Sequence, residues 1–276
     1  MNEKIKIELG EVQKTLLMPL WGRAKEYLKE NPLIKDEYAY KIINKLDYDF
    51  DRMSGSYNEH YQVNWATRAY HIDKIILNNL ADFPDATIVN LGAGLDTTFQ
   101  RIDNGRIFWY DLDLPDTIEL RKKLIPESAR NRLISKSILD FSWCRDVVIR
   151  GSKVIFIAAG VFCYFDKKSV TEIFLRLIQE FPGSEIIFET MSKMLIWLSN
   201  RQVAHKRGKA ELSKMQWGCS SSKEIKKWSD KIQVIQEFPI YSNIMIREQW
   251  SKQTIFQIRM TEYFKWVNIM HLRFSR

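Results

Sequence analysis

Cysteine is scarce in this 276-residue chain. Cys144, Cys163 and Cys219 are too few and too far apart for a disulfide framework or a four-thiolate zinc site, and they read as buried thiols. No metal site is expected. With 11 glycines and 7 prolines the chain is neither collagen-like nor of low complexity, and 9 tryptophans and 15 phenylalanines exclude a disordered one. Long apolar runs are missing too: the stretch Val154 to Val161 is under half of the roughly 20 residues that a membrane-spanning helix needs. The opening residues Met1 to Lys6 lack an apolar signal core and a small-residue cleavage site, so a cytoplasmic location is expected. No repeat of fixed period, zinc finger, RNA-recognition signature or phosphate-cradling Gly-Lys-Ser/Thr ending is visible.

What remains is 45% apolar, enough for one large core. The formal charge of +8 is regional: residues 201–276 carry 15 basic and 6 acidic side chains, the first 200 residues a net of −1. The excess lies in His205 to Lys209 and Lys223 to Lys227, where a solvated helix face and a basic lid over an anionic ligand both account for it. Nucleic acid is a minority expectation, and the oligomeric state is open.

Helical spacing marks residues 11–30, 35–46 and 59–81, with Asn31-Pro32 and Phe83-Pro84 as breaks. The pattern then changes. Strands are expected at Thr87–Leu91, Arg106–Asp111, Arg132–Lys136, Lys153–Ala159 and Glu185–Thr190, with helices near Pro115–Leu124 and Lys167–Phe181. Alternation of this kind calls for a parallel sheet covered on both faces, a Rossmann-like α/β core. The tail adds a helical insert near 191–216, a strand near 233–238, a helix near 244–263 and a last run at 266–274.

The strongest local signal is Ile88 to Thr97, a strand running into the turn Gly92-Ala93-Gly94. Gly92 and Gly94 let a ligand approach the backbone, and a plain strand-to-helix turn uses the same residues. A dinucleotide fingerprint places a third glycine where this chain has Thr97, which disfavours a nicotinamide dehydrogenase. The second strand ends in Asp111 and Asp113, 19 and 21 residues beyond Gly92, near the spacing of a ribose-binding acid. Helix capping is the other role for Asp113, and the one preferred for Asp116. Asp140 follows the third strand, as a turn residue or an acceptor from an adenine amino group. Tyr164, just past the fourth strand at the edge where open α/β sheets bind ligands, is the candidate to orient a substrate, or else a core aromatic beside Phe162 and Phe165. None of the four histidines is placed as a catalytic base.

Taken together, Ala66-Thr67-Arg68, the 89–97 block, Tyr110 to Pro115, Ser137 to Asp140 and Gly160 to Phe165 resemble the leucine carboxyl methyltransferase family, and within it the branch of tetracenomycin-type polyketide O-methyltransferases. The resemblance implies a class I fold that uses S-adenosylmethionine to methylate a carboxylate or hydroxyl oxygen of a small-molecule or peptide acceptor. It implies a single domain: an N-terminal helical extension over 1–86, a cofactor core over 87–190, a helical lid insert over 191–230 and completion of the sheet over 231–276. By position, Arg68 and Lys25 would meet the cofactor's methionine carboxylate, Gly92 would line its path, Asp113 would hold the ribose, and Asp140 and Phe141 the adenine. One departure stands out. Many members carry Glu before the Gly-Val that follows the fourth strand, and this chain has Ala159 there. The loss leaves a second reading open, a degenerate methyltransferase whose basic C-terminal region binds an acidic partner.

Overall fold

The computed structural model describes residues 4–7, 15–54, 58–205 and 214–276. The opening is helical: α1 (Leu17–Tyr27), α2 (Glu37–Lys45) and α3 (Glu59–Asp82), with one short helical turn at Phe50–Ser54 before α3. Asp36 caps α2 by accepting from the Ala39 N–H, and Asn58 caps α3 by accepting from that of Tyr61. The first helix is shorter than its periodicity suggests, and residues 11–14 lie outside the described residues.

The alternating segment forms β1 (Thr87–Leu91), α4 (Thr98–Ile102), β2 (Phe108–Asp113), α5 (Pro115–Leu124), β3 (Asn131–Ser135), β4 (Val154–Ala158), α6 (Lys167–Glu180) and β5 (Glu185–Met191). After α7 (Lys193–His205) come β6 (Ile232–Pro239), α8 (Lys252–Tyr263) and β7 (Val267–Phe274). The seven strands lie in the order β3-β2-β1-β4-β5-β7-β6, parallel except that β7 runs antiparallel to both neighbours. This is the expected α/β sheet in class I methyltransferase order. β1 and β4 are buried at every position, as their unbroken apolar runs require of central strands covered on both faces.

Two apolar layers cover the sheet. One packs Val170, Ile173, Phe174 and Leu177 of α6 against Val89, Phe156 and Phe188. The other packs Val63, Ile72 and Ile76 of α3, with Ile258 of α8, against Ile88, Ile155, Ile157 and Ile187. Alternation along each strand feeds the two layers in turn. A third cluster joins α1 and α2 to Leu95 and to Leu120 and Leu124 of α5, seating the helical opening beside the glycine turn.

Three expectations need correction. The helix of the tail begins at Lys252, because Asn243 turns the backbone at φ +61° and Ser251, not Ile244, supplies the cap by accepting from Thr254. Among its described residues the insert is helical over Lys193–His205 and not over Lys214 to Cys219, and 206–213, with the basic run at 206–209, lie outside the described residues. Cys163 and Cys219 are buried thiols, but Cys144 is only half-buried.

Candidate functional site

The turn after β1 is built by the sheet and held from below. Gly92 and Gly94 sit at φ +67° and +50°, a region that side-chain-bearing residues avoid. A Cβ on Gly92 would stand 2.6 Å from Cγ2 of Val161, which comes from the loop after β4. The Gly94 N–H donates to Oδ2 of Asp113 at 2.7 Å, and the Leu114 N–H donates to Oδ1 at 2.7 Å. The end of β2 is thus tied to the turn. Burial pushes the Asp113 carboxyl upward, and the two backbone donors oppose that rise.

Beneath the turn lies a set of buried ions. Arg121 of α5 donates to Asp111 at 2.7 Å and to the carbonyls of Gly94 (3.0 Å) and Asp96 (2.7 Å); Arg23 of α1 donates to Asp36 at 2.8 Å and to the Leu95 carbonyl at 3.0 Å. Three successive carbonyls of the turn are therefore fixed by guanidinium groups. Thr97, at the place of the third dinucleotide glycine, donates its hydroxyl to Asp36 at 2.6 Å. Burial alone would raise the Asp36 carboxyl, yet Arg101 and Arg23 outweigh it and hold it down at about 2.

The two acids of β2 separate by their surroundings. Asp111 is fully buried and committed to Arg121, the Trp109 indole and Asn90, so it is a structural ion. Asp113 is half-buried at the strand's end beside the turn. Asp116 lies inside the first turn of α5, whose cap position is Leu114, and it accepts from the neighbouring Thr117 N–H, so it is a local first-turn acid and not the cap.

Asp140 is exposed in the loop after β3, where it accepts from the Ser142 N–H and starts the short 3₁₀ turn Phe141–Arg145. That loop reaches the site through Ile138, whose Cδ1 lies 3.6 Å from the position of a Cβ on Gly92. Phe141 is half-buried, its ring under the Arg176 guanidinium at 5.1 Å.

Arg68 is buried on α3, and its Nη1 donates to Oε1 of Glu189 on β5 at 2.5 Å. A Cβ on Gly160 would fall 2.6 Å from that Nη1. Arg68 therefore meets the Gly160-Val161 corner whose second residue covers Gly92. Tyr164 is half-buried close by, bonded to Thr15, and burial with the nearby Cys163 raises its hydroxyl to about 12. A small pocket beside these groups is lined by Gly160, Val161, Cys163, Glu189, Met191 and Trp217, among others. Gln216, beside Trp217, donates from its backbone to the Cys163 carbonyl and from its side chain to the Tyr164 carbonyl, both at 2.7 Å.

Lys25 is exposed on α1. Gly22 packs on Trp65 and Glu26 accepts from Gln62, so α1 and α3 run antiparallel.

Sequence reasoning missed Glu189, Arg23 and Arg121. A carboxylate directly after the apolar run Ile186-Ile187-Phe188 was a legible signal for Glu189. Arg121 is hidden inside the run Arg121-Lys122-Lys123, where nothing local marks which cation is buried.

A family model described as leucine carboxyl methyltransferase matches residues 16–178. Tetracenomycin polyketide synthesis O-methyltransferase TcmP of Streptomyces glaucescens is 32% identical over 186 residues, 67% of this chain and 68% of that protein. The S-adenosyl-L-methionine-dependent methyltransferase dpfgK of Gibberella zeae is 29% identical over 216 residues, 72% of each. Among solved structures, a methyltransferase-like protein from Thermobifida fusca superposes with a TM-score of 0.60 at 11% identity, covering 87% of this chain and 93% of that one. A DUF574 family protein from Streptomyces avermitilis gives 0.59 at 12%, covering 92% and 97%. At such identities these two likenesses concern the fold.

Proposed function

The chain belongs to the leucine carboxyl methyltransferase family, and from that premise we propose that cofactor and acceptor meet at the C-terminal edge of β1, β2, β4 and β5. The protein is an S-adenosylmethionine-dependent O-methyltransferase. Its residues fit the cofactor. Gly92 and Gly94 hold a positive-φ turn that lets a ligand approach the backbone, the Arg68 guanidinium suits a methionine carboxylate, and Asp113, fixed beside that turn, keeps acceptor sites for ribose hydroxyls. Asp140 and Phe141 border the adenine position. The observation that carries the reading is the convergence of Arg68, the Gly160-Val161 corner and Gly92, drawn from three separate segments.

When bound, the cofactor supplies an electrophilic methyl on a sulfonium. The chain has to hold an acceptor oxygen in line at roughly 3 Å and keep water out. Tyr164, with its hydroxyl raised to about 12, keeps its proton and serves as a donor that orients the acceptor. Burial lowers His60 and His71 to about 4, leaving both too weakly basic to activate an alcohol. A carboxylate acceptor is already ionised and needs no base, so a small-molecule or peptide carboxylate is the acceptor we infer, ahead of a hydroxyl. We assign residues 191–230, of which 206–213 lie outside the described residues, as the lid insert, and residues 1–86, 87–190 and 231–276 as helical extension, cofactor core and sheet completion of one domain.

Among the described residues no helix is long and apolar enough to cross a membrane. A cytoplasmic location without a nucleic-acid partner completes the proposal. Calorimetry with S-adenosylhomocysteine tests it: binding with measurable heat is expected, and no heat at millimolar ligand would overturn the cofactor assignment.

A further inference from the structure

The carboxylate missing at Ala159 is present one strand away. β4 and β5 are parallel with Ala158 opposite Phe188, so the next register pair is Ala159 and Glu189. Partners in register on neighbouring parallel strands project to the same face, about 4.8 Å apart. That face is the one α3 covers, because Ala159 packs with Ile157 and Ile187 in the layer beneath it. Glu189 thus reaches Arg68 from almost the place that an acidic side chain at position 159 would occupy. Gly160 leaves room for the pair, since its Cβ would lie 2.6 Å from the Arg68 Nη1 and 3.3 Å from the Glu189 Oε1.

Resting on the cofactor assignment above, we propose that Glu189 is a cofactor-binding residue, and that the buried Arg68–Glu189 pair recognises the α-amino acid zwitterion of S-adenosylmethionine: guanidinium to carboxylate, Glu189 to ammonium. Among the described residues the pair engages Nη1 of Arg68 and Oε1 of Glu189. A guanidinium has five N–H donors and a carboxylate about four acceptor sites, so the rest of both groups is available without breaking the pair. Charge balance favours the same arrangement. A lone buried cation would bind a carboxylate but would leave the ammonium desolvated and unpaired, whereas a neutral ion pair accepts a neutral zwitterion with every charge compensated. The carboxylate that relatives carry at the end of the fourth strand is supplied here by the fifth.

The test compares two ligands by calorimetry: S-adenosylhomocysteine and its analogue lacking the α-amino group. Glu189→Gln is expected to weaken S-adenosylhomocysteine at least about tenfold and to leave the deaminated analogue within about twofold of wild type, since only the first ligand carries the ammonium. The double variant combining Ala159→Glu with Glu189→Gln, which returns the carboxylate to the fourth strand, is expected to regain most of the lost affinity. Equal weakening of both ligands would show that Glu189 only steadies Arg68, and unchanged affinity for both would show that it touches neither; either result overturns the proposal. Lack of rescue would overturn the equivalence of the two positions. Wild-type protein that binds neither ligand would instead bring down the cofactor assignment, and this inference with it.

Discussion

Replacing Arg121 with methionine removes one half of a buried ion pair while keeping the apolar stem. Arg121 is 1% exposed and donates to a fully buried carboxylate and to two carbonyls of the glycine turn. Removing one partner of such a pair costs about 3–5 kcal/mol, because the other charge is left uncompensated. For a chain of this size that corresponds to a Tm lower by about 5–9 °C. The pH dependence separates this cause from a packing defect. Burial already pushes the Asp111 carboxyl upward with Arg121 opposing it, and without Arg121 it rises further. A carboxyl whose folded pKa lies above its unfolded one is penalised while ionised and relieved once it takes up a proton. The gap in Tm between variant and wild type should therefore be widest near pH 8 and narrow as the pH falls toward 5. Thermal melts at three or four pH values measure it. A gap under about 2 °C, or one that does not change with pH, would refute the account of Asp111 as a buried ion held by Arg121.

Asp113→Ala should weaken S-adenosylhomocysteine binding by roughly 1–3 kcal/mol, about five- to 150-fold, through unpaired ribose hydroxyls; unchanged affinity in calorimetry would assign the ribose to another group. Gly92→Ala should destabilise the fold by about 1–3 kcal/mol, and adding Val161→Ala should relieve the contact at 2.6 Å but not the cost of a positive φ, which paired denaturation curves would resolve. Methyl transfer to a carboxylate acceptor should be flat in rate from about pH 6 to 9, since His60 and His71 sit near 4 and Tyr164 and Cys163 near 12; an inflection near 7 would argue for a base. The carboxyl of Asp36, held at about 2, contributes stability above its unfolded value near 4 that disappears as the pH falls through 2. Asp36→Asn should remove that part of the acid-unfolding transition, and an unaltered acid transition would count against it.

Much of the candidate site is legible in the sequence. The strand into Gly92-Ala93-Gly94, the acids closing β2 and Asp140 after β3 announce themselves because each is local: a turn needs glycine, a strand needs alternation, a loop start favours Asp. Arg121 shows where that logic stops, since nothing in the run Arg121-Lys122-Lys123 marks which cation is buried against Asp111. The late start of α8 is a smaller case of the same kind. The apolar residues from Ile244 onward fit a helix, but Trp250 and Tyr241 are spent on packing a loop against α3 and the sheet.

Local chemistry and periodicity thus settled the element order, the parallel core and the glycine turn, because backbone sterics and burial act over a few residues at a time. Which acid of β2 stays available, which cations lie beneath the turn, and where the carboxylate absent from position 159 is found were decided only by tertiary structure. Arg121 and Asp111 are ten residues apart and Arg68 and Glu189 are 121 apart. Their pairing depends on strand register and helix crossing, which no stretch of sequence encodes by itself.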